Sequence, residues 1–163
     1  MPIVQLVASN PFVDGRQSDR AMAIRRGLEI YFEQTGHAVL PEVTLKSGRR
    51  ADLLCLSPKG AVTIVEIKSS IADFRADTKW PDYREDCDQL FFATLADVPA
   101  DIFPADAGLL VADEWGAESL RDAPQEPMSA ARRKRIMLIF SRTAAQRLSR
   151  CCAHAGLDSP SLD

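Results

Sequence analysis

The chain has 163 residues, of which 46% are hydrophobic and 26% are charged, and this balance is typical of one globular domain. The composition excludes a disordered chain, a collagen, a coiled coil and a disulfide scaffold. The net charge of −3 does not indicate a nucleic-acid partner, but it does not exclude one, because a surface can be locally basic under a negative total.

Neither a membrane span nor a leader is predicted. No apolar stretch approaches the ~20 residues of a membrane span, and the first seven residues lack the basic region of a signal peptide. The four cysteines have no zinc-type spacing and are expected to be reduced thiols with a structural role. We therefore expect a cytoplasmic protein with no membrane partner.

The chain begins with a predicted loose arm, residues 1–17, followed by a helix. Ser18 is a suitable N-cap for this helix, and Gly36 is expected to end it. Apolar residues recur at helical spacing on one face, while Arg25 and Glu29 lie four residues apart and can pair on the opposite side.

Three strands are predicted next, at residues 37–44, 50–56 and 61–68. Residues 57–60 have the sequence SPKG, which is typical of a hairpin turn between the second and third strands. The third strand is apolar on both faces until its end, which indicates a central strand that is covered on both sides.

The second half of the chain is predicted to alternate between helices and strands. Residues 82–90 can be helical, residues 90–95 and 107–112 are short strands, and residues 129–153 form a final amphipathic helix. Asp88 interrupts an apolar segment and is expected to be a buried partner for Lys79 or for an arginine. This order predicts an α/β layer structure, with one domain over residues 18–153 and a tail over residues 154–163.

The candidate catalytic residues are charged residues at the end of the central strand. Glu66 and Lys68 lie two residues apart and therefore share a strand face. Asp52 lies directly opposite Glu66 if paired residue numbers in the hairpin sum to 118, whereas a sum of 117 puts the two on opposite faces. The turn alone leaves both registers open, and we predict 118, with a bulge if the loop requires one.

Two adjacent carboxylates form a hard oxygen site that suits Mg²⁺ or Mn²⁺. The Ile67 carbonyl can add a ligand, and Glu42 is either a third carboxylate or an ordinary surface residue. Lys68 would orient the attacking water or offset charge on a phosphate. The alternative is that Glu66 and Lys68 form a solvated pair with no catalytic role.

Asp52 and the triplet Glu66-Ile67-Lys68 resemble the motif of the PD-(D/E)XK nuclease superfamily, although Ala51 stands where that superfamily has proline. A wider match over residues 18–150 resembles the MmcB-like DNA repair family of that superfamily. The matching segments are GRRAD (48–52), VEIKSS (65–70), DF (73–74), KWPDY (79–83), CD (87–88), FA (92–93), GLLVAD (108–113) and RRK (132–134).

The resemblance implies a restriction-endonuclease-like α/β fold, with a mixed central sheet of about five strands flanked by helices. Three strands between two helices come first, and further strands and a C-terminal helix follow. Residues 18–153 would then be a single nuclease-like domain. By the same resemblance, Asp52 and Glu66 are the metal ligands and Lys68 is the catalytic lysine.

Charge is unevenly distributed along the chain. Residues 132–150 hold seven basic residues and no acidic one, whereas residues 72–126 hold fourteen acidic and four basic residues. The basic helix either contacts successive phosphates or pairs with the acidic section and solvent. The candidate DNA contacts are Arg49, Arg50, Lys79, Arg132, Arg133 and Lys134.

The leading interpretation is a metal-dependent DNA endonuclease, or a nuclease-like enzyme, in DNA repair. It would bind DNA through backbone and shape, because no motif for reading bases is present. The alternatives are a non-catalytic DNA-binding module on the same fold and a protein-interaction adaptor. RNA in place of DNA and a homodimer with two sites both remain open.

Overall fold

A computed structural model describes residues 18–157 of the protein, so the predicted arm and the last six residues lie outside the described part. Within that part, one six-stranded sheet has helices packed against it. The helices are α1 (Asp19–Gln34), α2 (Ile71–Ala76) and α3 (Ala130–His154), and the strands are β1 (Ala38–Thr44), β2 (Arg50–Leu56), β3 (Val62–Ile67), β4 (Gln89–Thr94), β5 (Gly108–Asp113) and β6 (Gly116–Arg121).

The sheet follows the chain order from β1 to β6. The pairs β1–β2, β2–β3 and β5–β6 are antiparallel, while β3–β4 and β4–β5 are parallel. Every residue of β3 is buried, which confirms the predicted central strand. The mixed α/β sheet confirms the predicted fold class, with six strands instead of about five.

Helix α1 covers one face of the sheet. The Ser18 hydroxyl accepts a hydrogen bond from the Ala21 N–H, so the predicted N-cap is confirmed. Ile24 and Leu28 pack against apolar residues of the sheet. The pair of Arg25 with Glu29 forms at 2.9 Å, but Arg25 is buried instead of lying on an outer face as predicted.

A glycine allows α1 to approach the sheet closely. A Cβ at Gly27 would overlap the backbone oxygens of Asp113 and Gly116, which lie at the turn between β5 and β6. The helix backbone therefore contacts that turn directly. A larger residue at position 27 would force the helix or the turn to move.

Helix α3 covers the opposite face, where Ile136 packs with Leu54, Ile64 and Tyr83 in a second core cluster. The predicted apolar stripe of this helix continues to Leu148 and Cys151, but both are exposed. The stripe is therefore covered only in its first half, because the sheet ends before the helix does. All four cysteines are free, and Cys55 and Cys87 are buried, as their predicted structural role requires.

Three elements differ from prediction. Residues 82–90 form no α-helix; a 3-10 helix, Trp80–Asp86, precedes β4. The resemblance implies a helix after the third strand and further strands, but the sequence pattern did not place a helix at α2 or a strand at β6. Helix α2 has only six residues, none of them buried, and β6 is an edge strand with a largely polar sequence.

No helix in the described residues is long and apolar enough to cross a membrane. The predicted domain boundaries and the cytoplasmic location stay predictions.

Candidate active site

The β2–β3 hairpin brings Asp52 and Glu66 together. The pairs Leu53–Val65 and Leu54–Ile64 confirm the predicted register, in which paired numbers sum to 118. Beyond these pairs, the two strands are connected by hydrogen bonds from backbone N–H groups to the two carboxylates. The Asp52 N–H donates to Glu66 Oε1 at 3.2 Å, and the Ile67 N–H donates to Asp52 Oδ2 at 2.8 Å. Each carboxylate is therefore fixed by the backbone of the neighbouring strand.

Burial and neighbouring negative charges act on both acids. The pKa of Asp52 is raised to about 6, chiefly by burial, and nearby Glu42 and Asp73 raise it further, against the Ile67 N–H and Lys68. The pKa of Glu66 is raised well above its ordinary value, first by burial and then by the charge of Asp52. The protein leaves excess negative charge here that a cation would neutralise.

Lys68 lies between two carboxylates. Its Nζ is 2.6 Å from Asp77 Oδ2 and 3.9 Å from Glu66 Oε2. Burial opposes the charge on Lys68, but the hydrogen bond that Lys68 donates to Asp77 and the charge of Glu66 outweigh it, so the pKa of Lys68 lies above its ordinary value. The lysine is consequently a permanent cation at neutral pH and acts as a hydrogen-bond donor.

An open cavity of about 500 Å³ gives access to these groups. The first turn of α1, the ends of β2 and β3 and the segment that follows β3 all contribute to its wall. The lining residues are Ser18, Ala21, Arg50, Asp52, Glu66, Ile67, Lys68, Ser69, Asp73, Asp77 and Tyr83.

The donor set suits a hard divalent cation. Each of the two acids uses one oxygen for a backbone N–H, so Asp52 Oδ1 and Glu66 Oε2 can bind a cation without breaking those bonds. No group of three or more His, Cys, Asp or Glu side chains among residues 18–157 is arranged to hold a metal ion. A site here would therefore have two carboxylates and complete its shell with water, substrate or backbone oxygen, as Mg²⁺ commonly does.

Glu42, the third predicted carboxylate, occupies a different position. Its φ of 52° interrupts β1, and its Oε2 lies 2.6 Å from Arg50 Nε. Glu42 does not line the cavity, but its charge reaches Asp52. Asp52 and Glu66 therefore remain the candidate ligands, and Glu42 is a neighbouring charge.

The predicted DNA contacts divide into two groups. Arg50 lines the cavity and has a half-exposed side chain, and Lys79 is exposed. Arg49 is also near, with its Nε 2.7 Å from Asp82 Oδ2. These three lie beside the acidic centre, whereas the other group is on α3.

On α3, Arg132 and Lys134 are exposed, but Arg133 has a structural role. Its guanidinium donates to both carboxylate oxygens of Asp88, at 2.6 and 2.9 Å, and to the Gly60 carbonyl at 2.7 Å. This confirms the prediction that Asp88 is the buried partner of an arginine. The DNA contact of Arg133 stays a prediction, although this arginine already makes three hydrogen bonds inside the protein.

A comparison with known protein families matches most of the chain. The chain matches the MmcB-like family, described as DNA repair protein MmcB-like, over residues 8–155.

The chain belongs to the MmcB-like family of DNA repair proteins.

A solved structure of a protein of unknown function from Silicibacter pomeroyi resembles this MmcB-like protein with a TM-score of 0.81 and 36% sequence identity. The match covers 89% of this chain and 99% of that chain. None of the curated proteins matches.

The cavity of this MmcB-like protein contains residues that sequence reasoning did not assign to the site. Asp77 is the closest partner of Lys68, and the Lys79 N–H fixes its other oxygen at 2.9 Å. Asp73 accepts the Ser69 N–H at 2.9 Å, and Tyr83 donates to the Arg50 carbonyl at 2.9 Å. Asp73 and Tyr83 lie in segments that carry the family resemblance, but no role was assigned to them, and Asp77 was marked only as one of several acidic residues after the central strand.

Proposed function

We propose that this MmcB-like protein is a metal-dependent nuclease that hydrolyses phosphodiester bonds of DNA during repair. The observation that supports it best is the pair of carboxylates Asp52 and Glu66, each hydrogen-bonded to the backbone of the other's strand. Both have raised pKa values, and they lie beside a charged lysine in an open cavity. Perturbed acids that converge in a cavity are typical of active sites.

In this proposal Asp52 and Glu66 hold Mg²⁺ or Mn²⁺, and the Ile67 carbonyl is a further oxygen donor. When bound, the cation supplies Lewis acidity toward the phosphate and offsets the charge of the transition state. The backbone N–H groups of Asp52 and Ile67 keep both carboxylates in place when the cation is absent. The site is thus organised before ligand arrives, which reduces the cost of ordering it.

Lys68 has the part of a charged donor. Because it stays protonated, its ammonium donates hydrogen bonds to the attacking water and to a phosphate oxygen. It thereby orients the water and balances negative charge as the new phosphorus–oxygen bond forms and the old one breaks. Asp77 holds the ammonium from the other side at 2.6 Å.

The second candidate is a non-catalytic DNA-binding module on the same fold. The observation that favours it is that Lys68 is closer to Asp77 than to Glu66, by 2.6 against 3.9 Å. A lysine held in this way by a structural partner needs no catalytic role. This candidate predicts DNA binding that is independent of divalent metal and of Lys68.

Cleavage assays separate the two candidates. Nicked, branched and single-stranded DNA, with RNA in parallel, are incubated with Mg²⁺ or Mn²⁺ and the purified protein. Glu66→Gln and Lys68→Met are compared with Glu118→Gln and Lys59→Met, which make the same changes at exposed positions outside the cavity.

We expect the two cavity variants to lose activity by about a hundredfold or more, while the two surface variants keep it. Activity in EDTA, or equal activity in all four variants, would disprove the catalytic roles. DNA binding without cleavage by the unmodified protein on any substrate would favour the non-catalytic module. Faster cleavage of RNA than of DNA would change the substrate but not the mechanism.

A further inference from the structure

Helix α3 carries seven basic residues and no acidic one. Three of them form ion pairs or hydrogen bonds with the rest of the protein. Arg133 pairs with Asp88 at 2.6 Å, and Arg135 pairs with Asp86 at 2.9 Å. Arg147 donates to the carbonyl oxygens of Pro41 and Glu42. These three arginines attach the helix to the protein and thereby fix the direction in which the others project.

Two of the other cations line a groove between α3 and the end of β1. The groove has a volume of about 500 Å³, and Lys134, Arg142 and the flank of Arg135 line it together with Thr44 and the half-exposed Leu138. None of the described residues that line it is acidic. Lys134 and Arg142 have no ion pair with any residue of the described chain, so their charges are directed at solvent.

One residue pair connects the groove to the acidic cavity. Thr44, in the wall of the groove, pairs in register with Arg50, which lines the cavity. These two residues, one from each site, therefore lie about 5 Å apart at the backbone.

The 3-10 helix makes a second connection between the two sites. Tyr83 lines the cavity, and Asp86, three residues further on, holds Arg135 at the groove. The middle of this short helix thus contacts the cavity, and its last residue contacts the groove.

The spacing of the cations along the groove suits an extended polyanion. Lys134, Leu138 and Arg142 are four residues apart and share one helix face. The two cations are thus separated by about 12 Å along the axis, which corresponds to about three to four nucleotides of one DNA strand. Leu138, between them, offers apolar contact to sugars, and no lining residue is aromatic, so the groove has no platform for base stacking.

We propose that this basic groove binds the phosphodiester backbone of the nucleic acid and leads it to the acidic cavity. The substrate class rests on the proposed function, but the groove itself can be tested without cleavage. Its cations complement phosphates, its length exceeds that of a single phosphate, and the pair Thr44–Arg50 connects it to the cavity.

The test measures binding of a fluorescent oligonucleotide in EDTA, where hydrolysis is absent, between about 50 and 200 mM salt. The double variant Lys134→Ala/Arg142→Ala is compared with Arg26→Ala/Lys59→Ala. The control also removes one lysine and one arginine, both exposed and outside the two cavities that form the proposed path. Circular dichroism confirms that both proteins are folded.

We expect binding by the groove variant to weaken about tenfold or more and the slope of log Kd against log salt to fall by about 1.4 to 1.8, the value for two lost phosphate contacts. The control should keep the slope of the unmodified protein. Equal affinity and slope in the two variants would overturn the proposal and would leave the groove to another occupant, such as an acidic protein segment. Because cleavage is assayed separately with Mg²⁺, failure of the groove and failure of the nuclease activity give different results.

Discussion

Two buried acidic centres in this protein differ in how well their charge is satisfied. Asp88, just before β4, accepts four hydrogen bonds: from the N–H groups of Val62 and Met128 and from two nitrogens of Arg133. Burial disfavours its charge, but Arg133 and the N–H groups outweigh burial, so the pKa of Asp88 lies below its ordinary value.

In the cavity the balance is opposite. Asp52 and Glu66 each accept one backbone N–H, their nearest neighbours include each other, and both pKa values are raised. The sequence marked both centres in the same way, as charged residues inside apolar segments. The structure shows that Asp88 is paired with Arg133 within the protein. Asp52 and Glu66 instead have raised pKa values in an open cavity, which is why the second centre is the candidate active site.

The largest effect that the comparison predicts is on stability at the satisfied centre. Asp88→Ala should lower the free energy of unfolding by about 3 kcal/mol, because it leaves two N–H groups and a partly buried arginine without their acceptor. Urea unfolding of Asp88→Ala, Arg133→Ala and the double variant would measure the coupling of the pair. A loss below about 1 kcal/mol would contradict the structural role given to Asp88.

Magnesium should stabilise the unsatisfied centre. At a hundredfold excess over its Kd, Mg²⁺ should add about 2.7 kcal/mol to the free energy of unfolding. The increment should shrink as the pH falls through about 6, where Asp52 takes up a proton. Thermal unfolding with and without Mg²⁺ at several pH values measures this, and an equal increment in Asp52→Asn would show that the ion binds elsewhere.

Removing one cavity charge without metal should stabilise the protein. The folded-state pKa of Asp52, about 6 against an ordinary 3.8, means that the folded state holds more protons between these values, so stability falls as the pH rises through this range. Asp52→Asn keeps an acceptor for the Ile67 N–H and should be more stable by about 1–2 kcal/mol above pH ~6, with no gain below pH ~4. Destabilisation at pH ~8 would mean that the two acids do not repel each other.

The smallest effect is expected at Asp77. Asp77→Asn keeps a hydrogen-bond acceptor for Lys68, and Glu66 still compensates the lysine charge at 3.9 Å. The free energy of unfolding should change by less than about 1 kcal/mol. If the site is catalytic, kcat should fall with little change in KM, because the substitution disturbs the position of Lys68. A stability loss as large as that of Asp88→Ala would make the contact between Asp77 and Lys68 structural.

Local signals explain what the sequence predicted correctly. The turn at residues 57–60 predicts the hairpin of β2 and β3, and the observed register, one of the two that the sequence left open, places Asp52 opposite Glu66. The helix caps at Ser18 and Ser129 are similarly local, because each hydroxyl accepts an N–H three residues later. These interactions join residues that are close in the sequence, within one element or one hairpin.

The missed features depend on distant contacts or on weak local signals. β6 is an edge strand whose polar sequence lacks a clear period of two, and β4 begins at Gln89, where the sequence pattern still allowed a helix. Asp77 reaches Lys68, and Arg133 reaches Asp88, only because the chain folds back. No spacing rule links residues 88 and 133, so their pairing follows from the fold.

The close contact at Gly27 has a consequence for the evolution of the site. Helix α1 is a stiff rod that touches the β5–β6 turn at Gly27 and forms part of the cavity wall with Ser18 and Ala21. Any larger residue at position 27 moves α1 away from the β5–β6 turn. It thereby displaces the cavity wall, which lies about two helical turns away along α1. The width of the cavity therefore depends on a residue that lies outside it. A screen for altered specificity should randomise the neighbours of Gly27 as well as the cavity lining.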